Sequence, residues 1–147
     1  MICGVKRVPA WMFGVTIAGT LTLSPGAVAP PQEHVIDILA DHDSRFKISG
    51  QEEPRITVQA GEPVRLRITA IKAKNHNRDG AVHGFALLKA QDRTPVPGWD
   101  LELRPGVQEF VLKAPDEPGE YIVVCTVICS ANHEHMTIKF IVEPKAD

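Results

Sequence analysis

The chain has 147 residues, of which 44% are apolar and 23% are charged. This composition is that of an ordinary globular protein, and the length suffices for one compact domain, which excludes a multi-domain enzyme. The net charge is -2, and beyond the first thirty residues 14 basic residues face 18 acidic ones, so no nucleic-acid partner is expected. Three cysteines are too few for a disulfide-rich scaffold.

Residues 1–29 have the pattern of a bacterial secretory signal peptide: two basic residues, an uncharged run, then small residues. Cleavage after Ala29 would break the bond to Pro30, which peptidases handle badly, so cleavage after Gly26 is an alternative. A third possibility is an uncleaved membrane anchor, because residues 8–32 carry no charge and a span needs only ~20 residues. In each case the remainder is predicted to lie in the periplasm, attached to the membrane only if the leader is kept.

Residues 30–33 are predicted to form a linker, and residues 34–147 a single domain built from short strands. Val64, Leu66 and Ile68 alternate with polar residues, as in a strand with one face in water. Twelve prolines, eleven glycines and the lack of sustained helical periodicity predict an all-β protein, a Greek-key β-sandwich. The other predicted strands cover residues 35–39, 46–48, 55–59, 82–88, 99–103, 107–113, 120–124 and 136–142.

The strongest chemical signal lies between the last two predicted strands. There the pattern C-x3-C-x3-H-x2-M places Cys125, Cys129, His133 and Met136 within twelve residues. Outside the leader these are the only cysteines and the only methionine of the chain. Soft sulfur ligands combined with imidazole select copper, so the sequence predicts a copper site on this loop.

Counting ligands leaves the number of metal ions open between one and two. A mononuclear blue copper centre would use Cys129, His133, Met136 and an upstream histidine, and would leave Cys125 without a role. Two copper ions bridged by both thiolates would use every residue, with a backbone carbonyl of the loop as a further weak ligand. A disulfide between the two cysteines is a third interpretation, but it leaves His133 and Met136 unexplained.

The second histidine ligand must come from elsewhere in the chain. His83 is the best candidate, because it begins an apolar predicted strand whose end can face the loop. His76 lies in a polar run, His34 and His42 have the character of surface residues, and the alternation of the last strand turns His135 away from the site.

The segment from Cys125 to Met136, together with Val82-His83-Gly84-Phe85, resembles the dinuclear copper-A domain of cytochrome c oxidase subunit II. It is also similar to the corresponding domain of nitrous oxide reductase. The resemblance extends from about His34 to Glu143 and implies a cupredoxin-like sandwich that holds two copper ions. It further implies that Cys125 and Cys129 bridge the ions, His83 and His133 cap them, Met136 is an axial ligand, and the carbonyl of Val127 completes the set.

Three features depart from the oxidase pattern. Val127 stands where the oxidase usually has an acidic residue that meets a magnesium site, the membrane hairpin is missing, and Phe46 is the only aromatic residue around residues 37–47. The docking features of the oxidase are therefore not expected here, and cytochrome c cannot be carried over as the electron donor.

The function expected from these residues is one-electron transfer between a donor and an acceptor protein that dock transiently. These partners are expected to be redox proteins, either cytochrome c-like or an oxidase or reductase. Copper delivery, copper storage or copper sensing on the same ligands is the alternative. An enzyme is not expected, since the sequence has no nucleophile elbow, no paired catalytic carboxylates and no open metal position.

Overall fold

Nine strands and one short 3₁₀ turn make up the part of the chain described by the computed structural model, residues 34–146. The predicted signal peptide or anchor and the linker lie outside these residues. Within residues 34–146, no helix is long and apolar enough to cross a membrane. The elements are β1 (His34–Ala40), β2 (Phe46–Lys47), β3 (Arg55–Gln59), β4 (Pro63–Ala70), β5 (His83–Lys89), β6 (Pro95–Leu103), β7 (Gly106–Lys113), β8 (Gly119–Val124), the 3₁₀ turn (His133–His135) and β9 (Thr137–Glu143).

The strands form two mixed sheets that pack face to face. One sheet has the order β2-β1-β4-β7 and the other the order β3-β9-β8-β5-β6. The pairs β1–β4 and β3–β9 are parallel and the remaining pairs are antiparallel. Inward residues of both sheets belong to a single apolar cluster, so the predicted all-β sandwich is confirmed.

The alternation of apolar and polar residues along the strands determines which side chains form the core. Along β4, Val64, Leu66 and Ile68 are fully buried, while the residues between them are half-buried or exposed. An edge-to-face contact between Phe46 and Phe85, with ring centroids 5.4 Å apart, joins the two sheets. The alternating strands therefore have one packed face each, which holds the sandwich together.

Several strand ends meet at one end of the sandwich, which we call the loop end. Ala40 at the end of β1 pairs with Ala70 at the end of β4, and the next residue, Ile71, donates its N–H to the carbonyl of Ala40. In the second sheet, Val124 at the end of β8 lies between Thr137 of β9 and Ala86 of β5. The loops that follow these strands are thereby brought together.

The turn between β1 and β2 belongs to this loop end and is fixed by the carboxylate of Asp41. One oxygen accepts hydrogen bonds from the backbone N–H of His42 at 2.7 Å and from its ring at 2.6 Å, and the other lies 2.5 Å from Lys47 Nζ. The bond from Lys47, helped by those from His42, lowers the pKa of Asp41 to about 2. The ionised carboxylate therefore stabilises the folded turn.

Replacing this carboxylate gives the first prediction. Because the pKa of Asp41 is lower in the folded chain, its contribution to stability is present above about pH 4 and disappears as the pH falls towards 2. We expect Asp41→Asn to lower the free energy of unfolding of the metal-free protein at pH 7 by about 1 kcal/mol, after allowing for screening around the half-exposed Lys47. Urea unfolding at several pH values measures the difference.

The matched control is Asp43→Asn, which removes a more exposed carboxylate from the same lysine. Its effect on stability should be smaller at pH 7. A stability difference between Asp41→Asn and the wild type that stays constant down to pH 2 would contradict the role given to Asp41.

Candidate metal centre

The loop of residues 125–136 joins β8 to β9, and its two ends are neighbours. The backbone N–H of Cys125 donates to the carbonyl of Met136 at 3.2 Å, one step beyond the last strand pair, Val124 and Thr137. Met136 is fully buried, and its own N–H donates to the carbonyl of His133 at 3.0 Å. The strand pairing thus fixes Cys125 opposite Met136 at the base of the loop.

The two thiols of the loop lie side by side without a covalent bond. Cys125 Sγ and Cys129 Sγ are 3.8 Å apart, both cysteines are free, and both are buried. A disulfide would require a separation of about 2.05 Å. With metal–sulfur bonds of about 2.3 Å, one ion can contact two sulfurs at the observed spacing. The pair is therefore a potential metal site, and the disulfide interpretation does not describe this arrangement.

His83 supplies a nitrogen beside these sulfurs. The imidazole is fully buried at the start of β5, and its Nε2–H donates to the carbonyl of Ile71 at 2.8 Å. Its Nδ1 is buried and has no hydrogen-bond partner. Burial lowers the pKa of His83, so the ring is neutral with its lone pair on Nδ1.

The ligand atoms of His83, Cys125 and Cys129 all lie within 4.8 Å of one another. A buried polar atom without a partner costs about 1–3 kcal/mol, so Nδ1 is poised for a ligand that the folded chain does not supply. The bond from Nε2 to a backbone carbonyl is the arrangement that orients metal-binding histidines. This chemistry fits a soft or borderline metal ion.

The carbonyl of Val127 points to the inside of the loop. It accepts the N–H of Cys129 at 2.7 Å and lies 3.2 Å from Cys125 Sγ, whose thiol donates to it. Val127 itself is buried. The structure therefore places this carbonyl oxygen, which is the predicted weak ligand, next to the thiol of Cys125.

The thiol of Cys125 carries its proton at neutral pH. Burial, reinforced by the nearby Cys129, raises the pKa of Cys125 to about 11. A hydrogen bond from the N–H of Gly84 at 3.4 Å acts in the opposite direction and lowers this pKa. Metal ions bind cysteine as the thiolate, so a metal ion must displace this proton. Binding at this site is consequently linked to proton release.

His133 is not part of the compact group of His83 and the two cysteines. It begins the 3₁₀ turn, is half-buried, and its Nδ1–H donates to the carbonyl of Ser130 at 3.0 Å. Binding a metal through Nδ1 requires that this bond break. His42, His76 and His135, in contrast, are exposed. Metal binding by His133 and Met136, as by the other predicted ligands, remains a prediction.

Two residues shape the site although the sequence analysis assigns neither of them a role. Gly84 follows His83 on β5, and a Cβ built on it would lie 1.9 Å from Thr126 Oγ1 and 2.7 Å from the backbone nitrogen of Thr126. Ser44, in the turn between β1 and β2, reaches Ser130 and Cys129 of the loop. Neither residue belongs to a ligand type, so spacing could not identify them.

The close approach at Gly84 gives the second prediction. In Gly84→Ala the new methyl group cannot fit unless the loop moves away from β5, so we expect unfolding stability to fall by about 3 kcal/mol. Metal binding should weaken as well, because Cys125 lies beside the displaced backbone. Thermal unfolding and copper titration measure the two effects.

Gly98→Ala is the control, since that glycine has a positive φ of 80° but open space around its Cβ position. It should cost stability through backbone strain alone and leave copper binding unchanged. Full copper binding by Gly84→Ala would show that β5 does not need to approach the loop this closely.

Comparison with known proteins adds information on the fold. No family model and no curated protein sequence matches the chain. Among solved structures, auracyanin A aligns with a TM-score of 0.52 and 20% identity. Auracyanin A is a "blue" copper protein from the green thermophilic photosynthetic bacterium Chloroflexus aurantiacus. That match covers 76% of this chain and 100% of auracyanin A.

Two further matches have the same quality. Rusticyanin from Thiobacillus ferrooxidans aligns with a TM-score of 0.51 and 19% identity, covering 76% of this chain and 77% of rusticyanin. A chain of a heme-copper terminal oxidase dimer aligns with a TM-score of 0.53 and 21% identity, covering 88% of this chain and 76% of that one. This chain has the cupredoxin fold. At this level of identity the cupredoxin likeness establishes architecture only.

Proposed function

We propose that this chain is a periplasmic copper protein that carries a dinuclear copper-A-type centre and transfers single electrons. The observation that carries the proposal is the pair of free, buried thiols 3.8 Å apart beside the unpartnered Nδ1 of His83. The cupredoxin fold supports it, since the similar structures include the "blue" copper protein auracyanin A and a chain of a heme-copper terminal oxidase.

Each part of the proposed ligand set has its own support. Cys125 and Cys129 would bridge two copper ions, because both sulfurs are free and adjacent. His83 would bind one ion through Nδ1, whose lone pair has no other partner. The carbonyl of Val127, Met136 and His133 would complete the two coordination shells, with His133 giving up its bond to Ser130.

A bound copper pair would supply a redox couple in which one electron is shared over two ions. The protein's contribution is to hold the ligand residues rigidly and to exclude water from them. His83, Cys129 and Met136 are fully buried, and the loop that carries five of the six proposed ligand residues is closed at its base by the bond from Cys125 to Met136. Ligands that cannot relax keep the geometry similar in both oxidation states, which favours rapid electron transfer.

Electrons would enter and leave on the exposed side of the loop. His133 is half-buried, Ala131 is exposed, and Ile128 is 66% exposed. A small, partly apolar surface next to a ligand allows a redox partner to approach closely during a short encounter. Such transient interfaces bury less than about 1,200 Å².

The predicted leader sends the domain to the periplasm, where free thiol pairs tend to be oxidised to disulfides. Copper bound to both sulfurs would prevent this oxidation. The proposed location and the proposed cofactor therefore support one another, and both explain why two thiols lie adjacent in a buried loop.

The third prediction concerns the number of metal ions. We expect the copper-loaded protein to contain two copper ions per chain and to show an EPR signal whose hyperfine structure reflects coupling to both nuclei. Cys125→Ser should convert the centre to a mononuclear one or abolish it, and His83→Ala should weaken copper binding severely, since each removes a central ligand.

The matched control is His135→Ala, which removes an exposed histidine of the same loop. It should leave the copper content and the EPR spectrum unchanged. One copper ion per chain with a blue-copper spectrum, or a Cys125→Ser spectrum identical to that of the wild type, would contradict the dinuclear centre.

The fourth prediction separates electron transfer from copper delivery. Copper that is passed between proteins must be reachable by the acceptor's thiols, whereas here both cysteines and His83 are buried. Mixed with a metal-free thiol chaperone, the loaded protein should keep its copper, and mixed with an oxidised redox partner it should transfer electrons. Fast loss of copper to the chaperone would instead support delivery.

A further inference from the structure

Ser44 is a buried polar residue close to the proposed metal centre but outside the ligand loop. It lies in the turn between β1 and β2, on the sheet opposite the one that carries the two cysteines, and only 2% of it is exposed. We propose that Ser44 is a positioning residue whose hydroxyl holds Cys129 Sγ by a hydrogen bond across the two sheets and thereby raises the reduction potential of the centre. This inference rests on the proposed copper centre.

The contacts form a continuous chain from one sheet to the other. Ser44 Oγ lies 3.5 Å from Cys129 Sγ and 2.7 Å from Ser130 Oγ. Ser130 Oγ in turn accepts the backbone N–H of Asn132 at 3.0 Å. The hydroxyl of Ser44 is therefore placed between a proposed ligand sulfur and the next residue of the ligand loop.

The backbone conformation of Ser44 is one that is unfavourable for a residue with a side chain. Its φ is 60°, in the left-handed region where glycine is favoured and a side chain is strained. The turn is closed by a hydrogen bond of 3.1 Å from the Ser44 N–H to the carbonyl of Asp41. A glycine would suit this backbone better, so the hydroxyl needs a separate explanation.

Metal binding changes the direction of the hydrogen bonds in a consistent way. In the metal-free protein the thiol of Cys129 donates to Ser44 Oγ, which donates to Ser130 Oγ. A metal-bound thiolate would have no proton to donate, so the hydroxyl of Ser44 would donate to Cys129 Sγ, and Ser130 would donate to Ser44. Every hydroxyl then still has a donor or acceptor role, with the N–H of Asn132 at the end of the chain.

A hydrogen bond to a metal-bound sulfur favours the reduced state. The sulfur carries more negative charge when the metal is reduced, so a donor stabilises that state more than the oxidised one. Hydrogen bonds to cysteine sulfur are known determinants of reduction potential in copper and iron–sulfur sites. Loss of the Ser44 hydroxyl should consequently lower the potential.

The test uses Ser44→Gly in the copper-loaded full chain, because glycine removes the hydroxyl and also relieves the backbone strain. At a fixed solution potential we expect the ratio of oxidised to reduced centre to rise about threefold to tenfold. The sulfur-to-copper charge-transfer band should shift as well. Ser130→Ala should give a smaller change, because Ser44 can still donate to Cys129.

Arg93→Gly is the matched control, since Arg93 is exposed, has a φ of 64°, and lies in the turn between β5 and β6 at the opposite end of β5 from His83. It makes the same kind of backbone change without touching the site and should leave the potential and the band unchanged. An unchanged potential and band in Ser44→Gly, with copper still bound, would overturn the role of Ser44 alone. Failure of the wild type to bind copper would overturn the proposed function.

A second measurement tests the Ser44 contact even without copper. In the metal-free protein, Ser44→Gly should make Cys129 react faster with iodoacetamide, because the loop loses its bond to the opposite sheet. Peptide mass spectrometry assigns the modified cysteine. An unchanged rate at Cys129 would show that Ser44 does not hold the loop.

Discussion

The central constraint in this molecule is that the fold holds the thiols of Cys125 and Cys129 side by side without a covalent bond between them. Cys125 begins the loop opposite Met136, and Cys129 returns to the site because the carbonyl of Val127 accepts its N–H. Their sulfurs stay 3.8 Å apart. This distance suits a shared metal ion and is almost twice that of a disulfide.

The sandwich supports this arrangement from two sides. β5 brings His83 and Gly84 against the loop, and the missing side chain of Gly84 lets the backbone of Thr126 approach closely. The other sheet contributes the turn with Ser44, which is itself anchored by the buried carboxylate of Asp41. Both sheets therefore help to position the cluster of His83, Cys125 and Cys129, so a movement of either sheet should shift the two sulfur atoms.

The sequence predicts much of this architecture because alternation is strong where the strands are long. β4, β7 and β9 have one packed face each, and their extents differ from the prediction by only one or two residues. His83 could also be selected as the candidate histidine, since it begins an apolar strand whose end can face the loop. Copper and its stoichiometry stay predictions, because the cupredoxin architecture is shared by proteins with different centres.

Other features depend on contacts between distant parts of the chain and could not be predicted in this way. Ser44 and Ser130 are 86 positions apart, and nothing in the run from Asp41 to Lys47 indicates that a hydroxyl there points to the ligand loop. The bond from His133 to Ser130 is local, but it competes with ligation in a manner that the C-x3-C-x3-H-x2-M spacing cannot show. The general pattern identifies candidate ligands, and the tertiary contacts decide how they are held.

X-ray absorption at the copper edge of the loaded protein tests the central claim most directly, because it reports the atoms around the metal. The account predicts two sulfur neighbours for each copper ion and a second copper ion at short distance. A single sulfur neighbour with no copper–copper contribution would show that Cys125 and Cys129 do not share a pair of metal ions.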